Sequence, residues 1–217
     1  MKGYKAIIFD LDGTLLDTLA DLADAVNYAL AKNGLPTRTQ EEVRAFIGNG
    51  IANLMRRAIG KEHSGFDAIL NDFIEYYKAH CADKTQPYAG IEAMLKALKE
   101  RNVKTGILSN KADFATKALA KQYFDGLLCA AAGENEAAGI RKKPAPDALL
   151  AMMKDFEVSK EETLYVGDSE VDIQTAQNAG VDCLSVAWGF KDESFLREHG
   201  AKRIIYQPCD LLKVIGF

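Results

Sequence analysis

Apolar and polar positions along the chain fall into two alternating patterns. Ala6-Ile7-Ile8-Phe9 is apolar throughout, which predicts a strand covered on both faces, and so a parallel sheet between helices. Short apolar or β-branched runs recur at Val103–Leu108, Leu127–Ala131, Thr163–Val166, Cys183–Ala187 and Arg203–Tyr206. Helical spacing separates them: Ile91, Met94, Leu95, Leu98; then Phe114, Ala118, Leu119; then Leu149, Leu150, Met153. Strands alternating with helices predict an α/β core, a doubly wound (Rossmann-like) parallel sheet.

One stretch departs from this alternation. Between Leu19 and Cys81 only helical patterns occur. Leu19, Leu22, Ala23, Val26, Ala29 and Leu30 mark a helix that Gly34 ends. Val43, Phe46 and Ile47 mark a second, stopped by Gly48, and Leu54, Met55 and Ala58 a third, stopped by Gly60. Phe66, Ile69, Leu70, Phe73, Ile74 and Tyr77 mark a fourth. The pattern predicts a four-helix bundle inserted after the first strand. The expected domains are an α/β core at 1–15 and 84–217 and a helical domain at 16–83.

Composition narrows the function classes. The chain has 217 residues, 48% hydrophobic and 27% charged, which excludes disordered and collagen-like chains. The net charge of −4 has the wrong sign for a dedicated nucleic-acid binder. It leaves anionic ligands open, because a ligand feels the local field. Cys81, Cys129, Cys183 and Cys209 form neither a CxxC pair nor a zinc knuckle. They read as core residues of a reduced, cytoplasmic protein. Ala6–Phe9 is too short for a signal segment. No stretch approaches the roughly 20 apolar residues of a membrane span. His63, His80 and His199 lack metal-ligand spacing and read as surface residues.

The candidate chemistry gathers where strands end. Asp10-Leu11-Asp12-Gly13-Thr14 follows the first strand directly, and doubly wound sheets bind ligands at the carboxyl ends of strands. Two carboxylates two residues apart in extended chain share a side and repel, and a divalent cation offsets that repulsion. Gly13 permits a tight turn, within which Thr14 can hydrogen-bond. The arrangement recurs at Gly167-Asp168-Ser169 with Asp172, after Thr163–Val166. There Asp168 and Asp172 share a face if Ser169 begins a helix. An oxygen-rich cluster of this kind suits Mg²⁺. Ser109-Asn110-Lys111 follows another strand, at a predicted turn into a helix where hydroxyl and N–H groups can hold phosphate oxygens. Lys143 precedes Pro144, which restricts its backbone to extended conformations and could aim its ammonium.

Together these residues resemble the four motifs of the haloacid dehalogenase superfamily of phosphohydrolases. Asp10–Thr14, Ser109–Lys111, Lys143–Asp147 and Gly167–Ser169 with Asp172 stand in the family's order along the whole core. The inserted helices resemble the C1-type cap of subfamily I, and Phe46-Ile47-Gly48-Asn49-Gly50 looks most like the phosphoglycolate phosphatase branch. The resemblance implies a phosphomonoester hydrolase with Asp10 as nucleophile, forming a phospho-aspartyl intermediate. Asp12 would act as acid and then base. Mg²⁺ would be held by Asp10, the main-chain carbonyl of Asp12, and Asp168, with Asp172 behind them orienting a metal-bound water or Lys143. Lys143, Ser109 and the backbone N–H groups of Leu11 and Asn110 would take the transferring phosphoryl group, with Thr14 beside them as a further substrate-binding residue. Arg44 and Asn49 would contact the substrate's non-reacting end from the cap, with Arg44 pairing a carboxylate.

Asp12 argues against carbon–halogen cleavage, since dehalogenases of the superfamily lack that second acid. Gly48–Asn53 offers no lysine for phosphonatase chemistry and no serine-arginine pair of a β-phosphoglucomutase, so a mutase ranks below a hydrolase. The expected substrate is a small phosphorylated metabolite, phosphoglycolate first, with sugar phosphates, nucleotides and pyrophosphate as alternatives. The protein is expected as a monomer or homodimer with neither nucleic-acid nor membrane partner. A receiver-like phosphoryl switch lacks the helical insertion and the acid at Asp12, and a scaffold with a decayed site would not keep all four motifs.

Overall fold

The computed structural model describes residues 3–60, 62–135 and 139–216. The chain divides into two compact units, one through Leu16 and from Pro87 onward, the other Asp17–Gln86.

The first unit is a six-stranded sheet flanked by helices. Its strands are β1 (Ala6–Phe9), β4 (Lys104–Ala112), β5 (Ala130–Glu134), β6 (Thr163–Gly167), β7 (Asp182–Val186) and β8 (Ile204–Ile205). The spatial order is β5-β4-β1-β6-β7-β8, and each pairing is parallel. The helices are α5 (Ile91–Glu100), α6 (Asp113–Phe124), α7 (Asp147–Asp155), α8 (Glu170–Ala179), α9 (Glu193–Glu198) and α10 (Cys209–Val214). Central β1 is buried along its length, as its unbroken apolar run requires.

Register sets the site. Phe9 pairs with Ile107 on one side and Val166 on the other. The residues that follow, Asp10, Leu108-Ser109 and Gly167-Asp168, therefore emerge level at the carboxyl edge. The chain runs outward from β1 to β4 and β5, then crosses back to β6. Strand order reverses at β1, where ligands of open α/β sheets bind.

The second unit carries α1 (Leu19–Lys32), α2 (Gln40–Phe46), α3 (Ile51–Ile59) and α4 (Phe66–His80). α1 buries Leu22, Ala23, Val26, Ala29 and Leu30, and α4 buries Ile69, Phe73 and Tyr77. Asp21 in α1, 2% exposed, accepts the N–H groups of Lys84 and Thr85 and the Thr85 hydroxyl. A carboxylate so hidden persists only with such a set of donors. Two short strands, β2 (Leu16–Asp17) and β3 (Gln86–Pro87), pair where the chain passes from one unit to the other.

Some expectations need correction. Cys129 and Cys209 are exposed rather than buried in the core, though Cys81 is buried. Phe114 and Leu150 are 41% and 38% exposed. α6 instead buries Ala115, Thr116, Leu119, Ala120 and Phe124. The predicted strand end at Leu108 is also early. β4 continues through Ser109-Asn110-Lys111 to Ala112, with a register shift against β5 between Leu108 and Ala112.

Candidate active site

Asp10 stands one residue beyond β1 and is 8% exposed. Its N–H donates to the Val166 carbonyl at 2.8 Å, tying it to β6. Its Oδ1 accepts from the Leu11 N–H at 2.7 Å and lies 3.0 Å from Lys143 Nζ. Burial pushes the Asp10 carboxyl up to about 6; Lys143 pulls the other way, while Asp172 and Asp12 add to the rise.

Lys143 is 4% exposed. Its ammonium reaches Asp172 Oδ1 at 2.7 Å, Asp10 Oδ1 at 3.0 Å and the Tyr165 hydroxyl at 3.1 Å. Three donors meet three acceptors. Burial would drag its pKa down, but Asp10 and Asp172 outweigh that and hold it well above the ordinary lysine value. The Tyr165 hydroxyl donates to the Leu108 carbonyl at 3.0 Å. The Asn110 side chain holds the Lys143 backbone, its Oδ1 accepting from Lys143 N at 2.8 Å and its Nδ2 donating to Lys143 O at 2.9 Å.

Asp172 is fully buried in the first turn of α8. Its Oδ2 accepts from the Ser169 N–H and hydroxyl at 3.1 and 2.6 Å, a reciprocal cap that fixes the carboxylate beneath Lys143. Asp168, 2% exposed, accepts the Thr14 hydroxyl at 3.1 Å and the Phe190 N–H at 2.7 Å. Burial holds its carboxyl well above the usual range, with Asp172 and Asp10 adding to the effect. Gly13 and Gly189 wall it in; a Cβ on either would come within 2.5 Å of Asp168 Oδ2.

One oxygen each from Asp10, Asp168 and Asp172 lie within 4.8 Å of one another. The Lys143 ammonium pairs with two of these three buried acids, and Asp10 and Asp168 are held up in pKa. The cluster is short of positive charge and rich in oxygen, which fits a hard divalent cation.

Asp12 faces a second lysine. Lys111 Nζ donates to Asp12 Oδ1 at 2.9 Å, with the side chains 2% and 15% exposed. Ser109 is buried, and its Oγ accepts from Lys111 N at 3.3 Å. In the helical unit, Arg44 is exposed on α2, and Asn49 has a left-handed φ of 64° with its carbonyl accepting from Asn53 Nδ2.

The structure thus brings Asp10, Leu11, Asp12, Thr14, Ser109, Asn110, Lys143, Asp168 and Asp172 to one edge of the sheet. Sequence reasoning missed the partnership of Lys111 with Asp12, the hydroxyl of Tyr165 and the N–H of Phe190. Lys111 had a signal, since alternation along an extended β4 puts it on the side of Ser109. Tyr165 read as core, and a backbone N–H leaves no trace in composition.

Comparison with known proteins decides the family. The sequence profile described as haloacid dehalogenase-like hydrolase matches residues 7–186. The chain belongs to the haloacid dehalogenase-like hydrolases. It is 34% identical to a phosphoglycolate phosphatase of Photorhabdus laumondii, across the whole chain and 94% of that protein. It is 33% identical to one of Chromobacterium violaceum, with 98% of each covered. A crystal structure from Lactobacillus delbrueckii subsp. bulgaricus, provisionally described as a phosphoglycolate phosphatase, superposes with a TM-score of 0.92 at 36% identity over 99% of each chain. The protein is a phosphatase of the haloacid dehalogenase-like family. Among the described residues no helix is long and apolar enough to cross a membrane.

Proposed function

We propose that the protein hydrolyses small phosphate monoesters, phosphoglycolate first among them, with Mg²⁺ and through a phosphoryl group carried on Asp10. The observation that carries this reading is the buried Asp10 carboxylate, 3.0 Å from Lys143 and clustered with Asp168 and Asp172. The names of relatives at 33 to 36% identity support the substrate.

Asp10 attacks phosphorus, and the bond from phosphorus to the ester oxygen breaks. Asp12 gives its proton to that oxygen, then takes a proton from the water that attacks the acyl phosphate and frees Asp10 and inorganic phosphate. Lys143 and Ser109 receive the phosphoryl oxygens, with the Leu11 and Asn110 N–H groups beside them. Asp172 keeps Lys143 in place. Asp10, the Asp12 main-chain carbonyl and Asp168 would hold Mg²⁺, which when bound offsets the repulsion between a carboxylate nucleophile and a phosphate dianion.

The test is phosphate release from a panel of phosphorylated metabolites, ranked by kcat/KM, with and without chelator. Phosphoglycolate is expected to lead and chelator to abolish release. Full activity in chelator, or in Asp10→Asn, overturns the mechanism; a different leading ester overturns only the substrate.

A further inference from the structure

Two buried lysines divide the site between them. Lys143 serves Asp10 and Asp172, whereas Lys111 faces Asp12. A lysine hidden to 2% has lost its hydration, and its ammonium needs anions around it. Lys111 reaches this position because β4 runs past Leu108 with a shifted register. Ser109 and Lys111 are buried together, while Asn110 between them turns to the Lys143 backbone. Gly133 on β5 makes room, since a Cβ there would lie 2.5 Å from the Lys111 carbonyl oxygen.

We propose that Lys111 binds a carboxylate on the leaving group, and so selects 2-phosphoryloxy acids, of which phosphoglycolate is the smallest. This rests on the mechanism above, in which Asp12 serves the ester oxygen. General acid catalysis puts that oxygen within about 3 Å of the Asp12 carboxyl. In a 2-phosphoryloxy acid one carbon joins that oxygen to the carboxylate. The carboxylate therefore comes within reach of an ammonium whose nitrogen is 2.9 Å from Asp12 Oδ1. Sugar and aryl phosphates place no anion there. Arg44 is the less effective reader, because an exposed guanidinium gains little from a carboxylate in water.

The experiment compares wild type, Lys111→Met and Arg44→Met with Mg²⁺ on two esters, phosphoglycolate and 2-hydroxyethyl phosphate. The second ester carries a hydroxymethyl group in place of the carboxylate. Lys111→Met is expected to lose roughly tenfold or more kcat/KM on phosphoglycolate beyond its loss on 2-hydroxyethyl phosphate, chiefly as a raised KM. Lys111→Arg is expected to recover part of that selectivity. Equal loss on both esters, no loss on either, or selective loss in Arg44→Met instead overturns the proposal. A wild type that hydrolyses neither ester defeats the mechanism itself, which is a separate result. Should Lys111→Met not fold, wild type alone decides: glycolate is expected to inhibit competitively far more strongly than ethylene glycol, and equal inhibition overturns the assignment.

Discussion

Asn110 holds Lys143 by its main chain, accepting from its N–H at 2.8 Å and donating to its carbonyl at 2.9 Å. β4, the neighbour of β1, thereby fixes a lysine thirty-three positions away in sequence. Asn110→Ala removes both bonds and lets the segment drift. We expect kcat/KM on an aryl phosphate to fall about 10- to 100-fold, since small misplacements of a charge-stabilising group cost that much. Mg²⁺ affinity should be unchanged in calorimetry. Asn110→Asp keeps the acceptor for the Lys143 N–H and should recover part of the rate.

Asp172 is a stability residue as well as a partner of Lys143. It has no solvent exposure and accepts from Lys143 and from both the N–H and hydroxyl of Ser169. Asp172→Ala leaves Lys143 buried beside Asp10 with its closest ion partner gone. The expected loss is on the order of 3 to 5 kcal/mol, read from urea unfolding of the metal-free protein. Asp172→Asn, which keeps the shape, should lose less.

Asp10 works against folding at neutral pH when no metal is present. Its carboxyl is raised from 3.8 to about 6, first by burial. A group raised in the native state binds its proton more tightly there than in the unfolded chain. Its contribution is therefore fully present below its unfolded pKa and is lost as pH rises through about 6. Each unit of displacement corresponds to about 1.4 kcal/mol. Metal-free Asp10→Asn should then melt above wild type at pH 7.5, and the gap should close between about pH 6 and pH 4. Melting both proteins across that range, without and with Mg²⁺, checks the sign; with the ion present wild type should gain and the variant should not.

Gly189→Ala should empty the site without unfolding the sheet. The added carbon would come 2.3 Å from Asp168 Cβ and 2.4 Å from the Gly13 carbonyl. Gly13→Ala meets Asp168 Oδ2 at 2.3 Å and must also adopt a φ of +80°. Both variants should lose Mg²⁺ binding in calorimetry while keeping far-ultraviolet circular dichroism near that of wild type, Gly189→Ala more nearly than Gly13→Ala.

The alternation of strand and helix was legible because each strand at the centre of the sheet is buried on both faces, so Ala6–Phe9 and Thr163–Val166 carry no charged interruption. Asp10, Asp12 and Asp168 stood out because acids gather just after two such runs, at Asp10-Leu11-Asp12 and Gly167-Asp168. The partners that tune them did not. Tyr165 is a strand residue by composition, and only packing reveals that its hydroxyl lies between Lys143 and Leu108. Phe190 contributes an N–H, which any residue could supply. β4 outran its apolar run because Ala112 beyond it pairs with Glu134 of β5 and Asn110 bonds the Lys143 backbone, contacts that local propensity cannot foresee.

The strand order β5-β4-β1-β6-β7-β8 has a consequence for a chain being synthesised. The first acids follow directly after β1, Lys111 arrives about a hundred residues later on β4, and Asp168 only after β6. A chain that stops before β6 can pair β1 with β4, yet it lacks Asp168 and Asp172 of the acidic cluster. On the reading proposed above, competence for the ion arrives only once β6 has joined β1, so affinity for it reports that pairing rather than the pairing of β1 with β4 alone.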